Sequence, residues 1–155
     1  LSWWISDAIM ERDRDAKKLM PADLEPFVRQ GYAAIVFHEL IRDTDANKSN
    51  ILITQPDWQM WMIDFTRAFR EDKTLLYPKT LKMCDRKLLA NLRGLTEATV
   101  KQKLGRWLGR AEISGLLARR DHIVPFFDKE ISEKGEAAVL YDLPRMTEPC
   151  GTGLK

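Results

Sequence analysis

Three side chains with oxygen ligands are spaced along one stretch of the chain in a way that suits metal-assisted phosphate chemistry. Asp45 and Asn50 are separated by four residues in a polar segment, and Asp64 follows the apolar run Trp61–Ile63. Mg²⁺ prefers oxygen ligands and is usually held by one or two carboxylates, an amide oxygen and phosphates. Phosphoryl transfer also needs an acidic group beside the incoming hydroxyl, to orient it and accept its proton. These residue types therefore predict a site for Mg²⁺ and a phosphate-bearing ligand.

The segments around these residues predict the elements that would bring them together. Residues 24–42 carry an apolar stripe and are apolar on every side from Ala33 to Phe37, which indicates a helix buried in the middle of the domain. Asn50–Thr54 and Trp58–Ile63 have the composition of strands, and residues 55–57 between them are typical of a turn. Such a hairpin would place Asp64, at the end of its second strand, close to Asp45 and Asn50 in the loop that follows the helix.

Neighbouring polar residues have predicted supporting roles. Asp43 and Asn47 are expected to cap the backbone of their own loop, because both residue types readily form such hydrogen bonds. His38 lies on an otherwise apolar helix near the loop, which indicates a hydrogen-bonding role in the core or behind the site. Arg67 is expected to pair with one of the two candidate carboxylates, or with a surface acid elsewhere. His122, within a charged run, is predicted to lie on the surface.

The composition indicates one globular domain. The chain has 155 residues, of which 45% are hydrophobic and 31% charged, and its net charge of +2 is too small to indicate a nucleic-acid partner. No apolar run approaches the length of a transmembrane segment. No secretory signal is present, and Cys84 and Cys150 match no metal-ligand spacing, so we expect two free thiols and a cytoplasmic location, with one disulfide left open.

The remaining sequence predicts a fold that is mainly α with one short β-hairpin. A single helical domain is expected over residues 1–139, followed by an extended tail over 140–155.

Trp3 and Trp4 are expected to anchor the first helix in the core, with a partner-binding surface as the alternative. Pro125 is expected either to kink the last long helix or to begin a new one. The other predicted helices cover 2–18, Asp85–Leu92 (ended by Gly94), 96–104 (capped by Thr96) and 111–123, and Gly135 is expected to end the last one.

Two of these segments also carry a family resemblance. The run Asp43–Leu52 resembles the catalytic loop of protein-kinase-like enzymes, and the run Ile63–Thr66 resembles their Asp-Phe-Gly element, with Thr66 in place of the glycine. The nearest branch is the atypical one, which contains HipA-type kinases, secretory-pathway kinases and phosphatidylinositol kinases. The run Trp61–Phe69 is similar to uncharacterised bacterial proteins of that branch. The resemblance implies that the chain forms the C-terminal lobe of such a fold.

The resemblance also implies residue roles and cofactors. It makes Asp45 the catalytic acid/base and makes Asn50 and Asp64 the ligands of Mg²⁺, with ATP as the phosphoryl donor. Lys48 is the candidate for contact with a phosphate, although an exposed loop lysine is the alternative. The implied activity is that of a kinase-like phosphotransferase using Mg-ATP.

One departure leaves alternatives open. The first glycine of the chain is Gly31, so no glycine-rich phosphate loop precedes the polar segment, and residues 1–22 are too few for a nucleotide-covering N-terminal lobe. Because Leu1 is not an initiator methionine, we expect the chain to begin inside a larger gene product, and the missing lobe to lie upstream or on a partner chain. The alternatives are a catalytically inactive pseudokinase, or a helical interaction module with Trp3, Trp4 and Trp107 as its interface candidates.

Overall fold

The computed structural model describes residues 5, 7–55 and 57–144 of the chain. In chain order the elements are β1 (Ala8–Met10), α1 (Glu11–Ala16), α2 (Leu24–Ile41), β2 (Ile51–Thr54), β3 (Met60–Met62), β4 (Cys84–Asp85), α3 (Arg86–Arg93), α4 (Glu97–Leu104), α5 (Arg110–Lys134), α6 (Glu136–Val139) and β5 (Leu140–Tyr141). A 3₁₀ turn at Pro78–Thr80 precedes β4. The prediction of a mainly helical chain with one hairpin is confirmed in part, because helices dominate but the described residues form two small sheets.

The central helix α2 forms as its sequence predicts. Asp23 is its N-cap, with a carboxylate oxygen that accepts the backbone N–H of Glu25 at 3.1 Å. Val36 and Ile41 on this helix are almost fully buried. The helix ends at Arg42, whose backbone is left-handed with a φ of 49°, and the chain turns there into the polar loop. The loop therefore begins directly at the buried C-terminal end of α2.

The predicted hairpin forms, and a third strand joins it. β2 pairs antiparallel with both β1 and β3, so that Ile53 lies opposite Ile9 on one side and Met60 on the other. The predicted single helix over residues 2–18 is wrong for its described part, where a strand precedes a short α1. Residues 8–10 are drawn into a strand because β2 offers them a free hydrogen-bonding edge. Trp3 and Trp4 lie outside the described residues.

The two short helices α3 and α4 begin and end where predicted. The carboxylate of Asp85 accepts the N–H of Leu88 at 2.8 Å, and the hydroxyl of Thr96 accepts the N–H of Thr99 at 3.2 Å. α3 ends at Gly94 and α4 at Gly105. Local capping chemistry therefore accounts for both elements.

Helix α5 is longer than predicted and is continuous through Pro125. An internal proline removes one backbone hydrogen bond and costs about 3 kcal/mol. Ile123 and Phe127 on either side of it are fully buried, and this packing holds the helix together across the proline. Of the two predicted outcomes, a new helix at Pro125 is wrong. Gly135, with a φ of 84°, ends the helix as predicted.

A second, parallel sheet joins the middle of the chain to its last described residues. β4 pairs with β5 so that Cys84 lies opposite Leu140, and both residues are buried. The hydroxyl of Tyr141 donates to the carbonyl of Arg29 at 2.7 Å. The tail predicted from residue 140 thus begins as a buried strand, and residues 145–155 lie outside the described part. No helix in the described ranges has the length and apolar character needed to cross a bilayer.

Candidate functional site

The loop after α2 is organised around the buried carboxylate of Asp43, which is only 2% exposed. One oxygen accepts the backbone N–H of Asp45 at 3.0 Å, and the other lies 3.1 Å from Nδ1 of His38. Both predictions are confirmed: Asp43 caps its own loop, and His38 is a hydrogen-bonding residue behind it. Because Asp43 is anchored to α2 through His38, the backbone of Asp45 has a fixed position relative to the helix.

The backbone carbonyl of Asp45 joins the two asparagines of the loop. It accepts hydrogen bonds from the side-chain amides of Asn47 at 2.9 Å and Asn50 at 3.0 Å. Since a carbonyl oxygen only accepts, the atom of Asn50 that faces it is the nitrogen, and the amide oxygen is the atom that could bind a cation. Asn47 also accepts the N–H of Ser49 at 2.8 Å, which confirms its predicted capping role.

Backbone hydrogen bonds tie this loop to the segment that holds Asp64. The N–H of Ile63 donates to the carbonyl of Asn50 at 3.0 Å, which places Asp64 next to a residue bonded to the loop. The N–H and hydroxyl of Thr44 both lie near the carbonyl of Arg67, at 3.3 Å and 3.2 Å. The structure therefore joins the two polar segments on both sides of Asp64.

Asp64 is exposed and held in an uncommon conformation. Its φ of 57° is left-handed, which few residues other than glycine adopt and which aspartate tolerates better than most. The Thr66 hydroxyl donates to its carboxylate at 2.7 Å. This hydrogen bond, the Thr66 backbone N–H and the charge of Arg67 hold the pKa of Asp64 below its usual range. The carboxylate is therefore ionised at neutral pH, as a cation ligand must be.

The two predicted cations of the site have other contacts. The ammonium of Lys48 lies 2.5 Å from the carboxylate of Asp15 on α1, where both side chains are more than half exposed. This pairing lowers the pKa of Asp15. Among the described residues, the Arg67 side chain forms no ion pair, so neither of its predicted pairings is seen. Its contribution to the site comes through its carbonyl and its charge.

Two charged residues that the sequence analysis did not single out hold the chain after Asp64. Arg119 on α5 is fully buried, and its guanidinium donates to the carbonyls of Leu40 at 2.8 Å and Arg70 at 2.9 Å, and also to that of Asp72. Burial lowers the pKa of Arg119 to about 10. Further along the chain, the carboxylate of Glu39 accepts the backbone N–H groups of Leu76 and Tyr77, both at 2.8 Å. The available signal was a charged residue spaced three or four positions from apolar residues of the same helix stripe.

A pocket of about 370 Å³ opens beside the loop. Its walls come from one face of α2, including Gly31 and His38, from Asn47 and Lys48 of the loop, and from the segment around Tyr77. Asp45, Asn50 and Asp64 are not among its lining residues. The pocket and the predicted metal site are therefore neighbours that share the loop.

The donor set suits a metal that is bound together with phosphates. Within residues 5, 7–55 and 57–144, no group of three or more His, Cys, Asp or Glu side chains could hold a metal ion. One carboxylate and one amide oxygen, at Asp64 and Asn50, are too few for a protein-only cage. They are the kind of partial set that Mg²⁺ uses when phosphate oxygens and water complete its coordination.

Comparisons with known proteins add no relative to this picture. No protein-family model matches the chain, and no curated protein sequence is significantly similar to it. The function is therefore inferred from the geometry of the loop, the Asp64 segment and the pocket beside them.

Proposed function

We propose that this chain carries the catalytic loop of a kinase-like phosphotransferase that uses Mg-ATP, in a domain resembling the C-terminal lobe of an atypical kinase. The observation that supports it most strongly is the double link made by Asn50. Its side-chain amide donates to the backbone carbonyl of Asp45 at 3.0 Å. Its own backbone carbonyl accepts the N–H of Ile63, the residue before Asp64, also at 3.0 Å. One asparagine thereby couples the proposed acid/base to the proposed metal ligand. We also propose a cytoplasmic location for the protein.

The proposed reaction transfers the γ-phosphoryl group of ATP to a hydroxyl acceptor. The acceptor oxygen forms a bond to the γ-phosphorus, the bond from that phosphorus to the β–γ bridging oxygen breaks, and ADP leaves. Asp45 orients the acceptor hydroxyl and takes its proton. Bound through Asn50 and Asp64, Mg²⁺ would neutralise charge on the phosphates. Lys48 would reach a phosphate only after leaving Asp15, and an N-terminal lobe upstream or on a partner chain would cover the nucleotide.

The first test is removal of the Asp64 charge. In the natural gene product, Asp64→Asn should reduce transfer of label from γ-labelled ATP by at least about a hundredfold, because an essential metal ligand is lost. It should also abolish the Mn²⁺-induced broadening of NMR signals from the Asp45–Asn50 loop. Asp121→Asn, at an exposed acid of α5, is the matched control and should change neither readout. Undiminished transfer in Asp64→Asn would overturn the assignment.

A second candidate is a binding or regulatory module that keeps this lobe without catalysis. It is favoured by the separation between the pocket and the three proposed site residues. Titration calorimetry with Mg-ATP, beside the Mn²⁺ measurement, distinguishes the two. Absence of both heat and Mn²⁺ broadening in a folded protein supports the module, whereas heat that Asp64→Asn abolishes supports the phosphotransferase.

A helical interaction module remains the third candidate. Trp107 is 63% exposed, and the guanidinium of Arg106 lies 3.8 Å from its ring centre. The other two tryptophans of that prediction, at positions 3 and 4, lie outside the described residues. A pull-down in which Trp107→Ala loses a partner that Asp64→Asn retains would favour this candidate over the other two.

A further inference from the structure

The wall of the pocket beside the loop includes a buried polar atom that has no hydrogen-bond partner among the described residues. Nε2 of His38 is buried and finds no hydrogen-bond partner within the described part of the chain, and His38 is one of the pocket's lining residues. Most buried polar atoms in proteins have a partner, so an unpaired ring nitrogen at a cavity wall is a site at which a ligand group can form a hydrogen bond.

The hydrogen bond to Asp43 determines which chemistry that ligand group must have. Asp43 accepts, so Nδ1 of His38 carries the proton that points at it. Burial lowers the pKa of His38, although the Asp43 and Glu39 charges act in the opposite direction, so the ring is neutral at physiological pH. A neutral imidazole protonated on Nδ1 has a lone pair on Nε2. A ligand group that pairs with Nε2 must therefore be a hydrogen-bond donor.

The charged groups around the pocket are already engaged by the protein. Glu11 pairs with Arg14 at 2.5 Å, and Lys48 pairs with Asp15 at the same distance. The Glu39 carboxylate is occupied by two backbone N–H groups, and Asp43 by the loop and the imidazole. A charged ligand would have to displace one of these existing partners. The rest of the wall is mainly apolar, with contributions from Ala34, Ile35, Ile51, Met60 and Leu76.

We propose that this pocket binds a small, neutral and largely apolar molecule that bears a hydroxyl group, whose O–H donates to Nε2 of His38. The volume of about 370 Å³ lies within the range of small-molecule sites. One oriented hydrogen bond in an apolar cavity is a common way to combine affinity with specificity. The site does not depend on the proposed phosphotransferase, because it uses none of Asp45, Asn50 or Asp64.

A matched pair of probes tests the hydroxyl requirement directly. 4-Propylphenol carries the required O–H, and 4-propylanisole has nearly the same shape but no donor. We expect the phenol to bind about tenfold more tightly, which corresponds to one net hydrogen bond. The dissociation constants follow from NMR titration of the protein. The chain has only two histidines, so ¹⁵N spectra of the imidazoles should show a shift of Nε2 in His38 with the phenol alone.

Three variants make the result specific to this pocket. His38→Asn keeps an amide donor toward Asp43 but has no acceptor at the position of Nε2, so the phenol should lose its advantage over the anisole. Gly31→Leu places a branched side chain at the pocket wall, where a Cβ meets no atom of the described residues within 4 Å, and the Nδ1 signal of His38 checks that the His38–Asp43 pair is retained. It should abolish binding of both probes. His122→Gln, at an exposed histidine of α5, assigns the spectrum and should bind both probes normally.

Each contrary result overturns the inference. Equal affinity for the two probes in the natural sequence would remove the hydroxyl requirement. Unchanged phenol binding in Gly31→Leu would place the ligand elsewhere on the protein. Failure of both probes to bind in the natural sequence would show that the pocket takes no such molecule.

Discussion

Asp43 has the most consequential single carboxylate in the loop, because two N–H donors depend on it. We expect Asp43→Ala to lower the free energy of unfolding by about 2–6 kcal/mol, since each of the two donors left without a partner costs about 1–3 kcal/mol. Urea denaturation measures the change. Asp121→Ala, at an exposed acid, should stay within about 0.5 kcal/mol of the parent. An equally small effect at Asp43 would mean that the loop has another support.

The ionisation of Asp64 can be followed directly. Because the folded state stabilises the charged form, its carboxyl carbon should titrate with a midpoint below the ordinary value of about 3.9. The associated stability is present above that ordinary value and is lost as the pH falls through the lower, folded pKa. Thr66→Val removes the strongest hydrogen bond and should move the midpoint up toward the ordinary value. A midpoint unaffected by Thr66→Val would contradict the stated cause.

At the scale of single residues, the sequence predicted hydrogen bonds within one loop better than it predicted contacts between distant parts of the chain. It anticipated that Asp43 and Asn47 would bond their own loop, since short polar side chains do so locally. It did not anticipate that Arg119 would bind the carbonyls of Leu40 and Arg70. Those partners are far apart along the chain, and only the packing of α5 against α2 brings them together.

Two helical glycines should respond in opposite ways to the same substitution. Gly115 on α5 lies under the segment after Asp64, and a Cβ there would approach the carbonyl oxygens of Glu71 and Arg70 to 2.6 Å and 2.9 Å. Around Gly31 on α2, a Cβ meets no atom of the described residues within 4 Å. Alanine is a better helix former than glycine, by about 0.5–1 kcal/mol, so the space around each Cβ determines the sign.

We therefore expect Gly31→Ala to stabilise the protein by about 0.5–1 kcal/mol and Gly115→Ala to destabilise it by about 1–3 kcal/mol. Thermal denaturation of the two variants under identical conditions measures both. Backbone amide hydrogen exchange of residues 70–72 should also become faster in Gly115→Ala but not in Gly31→Ala. Stabilisation by both substitutions would mean that this segment does not pack on α5 as described.

At the scale of elements, local signals predicted α2, α3, α4 and the hairpin of β2 with β3, but they did not predict β1. α2, α3 and α4 follow from their N-caps, at Asp23, Asp85 and Thr96, and from their apolar spacing. β1 does not, because its strand conformation comes from pairing with β2 and its own residues resemble the start of a helix. The continuity of α5 through Pro125 likewise comes from buried neighbours that a local rule does not include.

For the whole molecule, Cys84 can report how often the core opens. It is fully buried, and burial raises the pKa of its thiol to about 12, so the reactive thiolate is absent from the native state. In a Cys150→Ser background, a disulfide reagent should label Cys84 at least about a thousandfold more slowly in native buffer than in urea, because a typical domain stability is 5 kcal/mol or more. Fast labelling in native buffer would show that the β4 region opens locally.

For the domain as a whole, the sequence predicted most of the secondary-structure elements but not all of the pairings between them. One mainly helical unit with a central hairpin follows from apolar periodicity along α2 and strand composition after it. The parallel pairing of β4 with β5 does not, since two strands of two residues each carry almost no local signal. The likeness of the whole to a kinase C-terminal lobe stays a prediction.

The pairing of β4 with β5 also bears on the order in which the chain acquires its structure during synthesis. Cys84 leaves the ribosome long before Leu140, and every helix from α3 to α6 is translated between them. A contact between such distant positions forms late, because the entropy of closing the intervening loop must be overcome first. The nascent chain should therefore keep its β4 surface open until residue 141 has emerged, and a stalled or truncated product would expose that surface to chaperones and proteases.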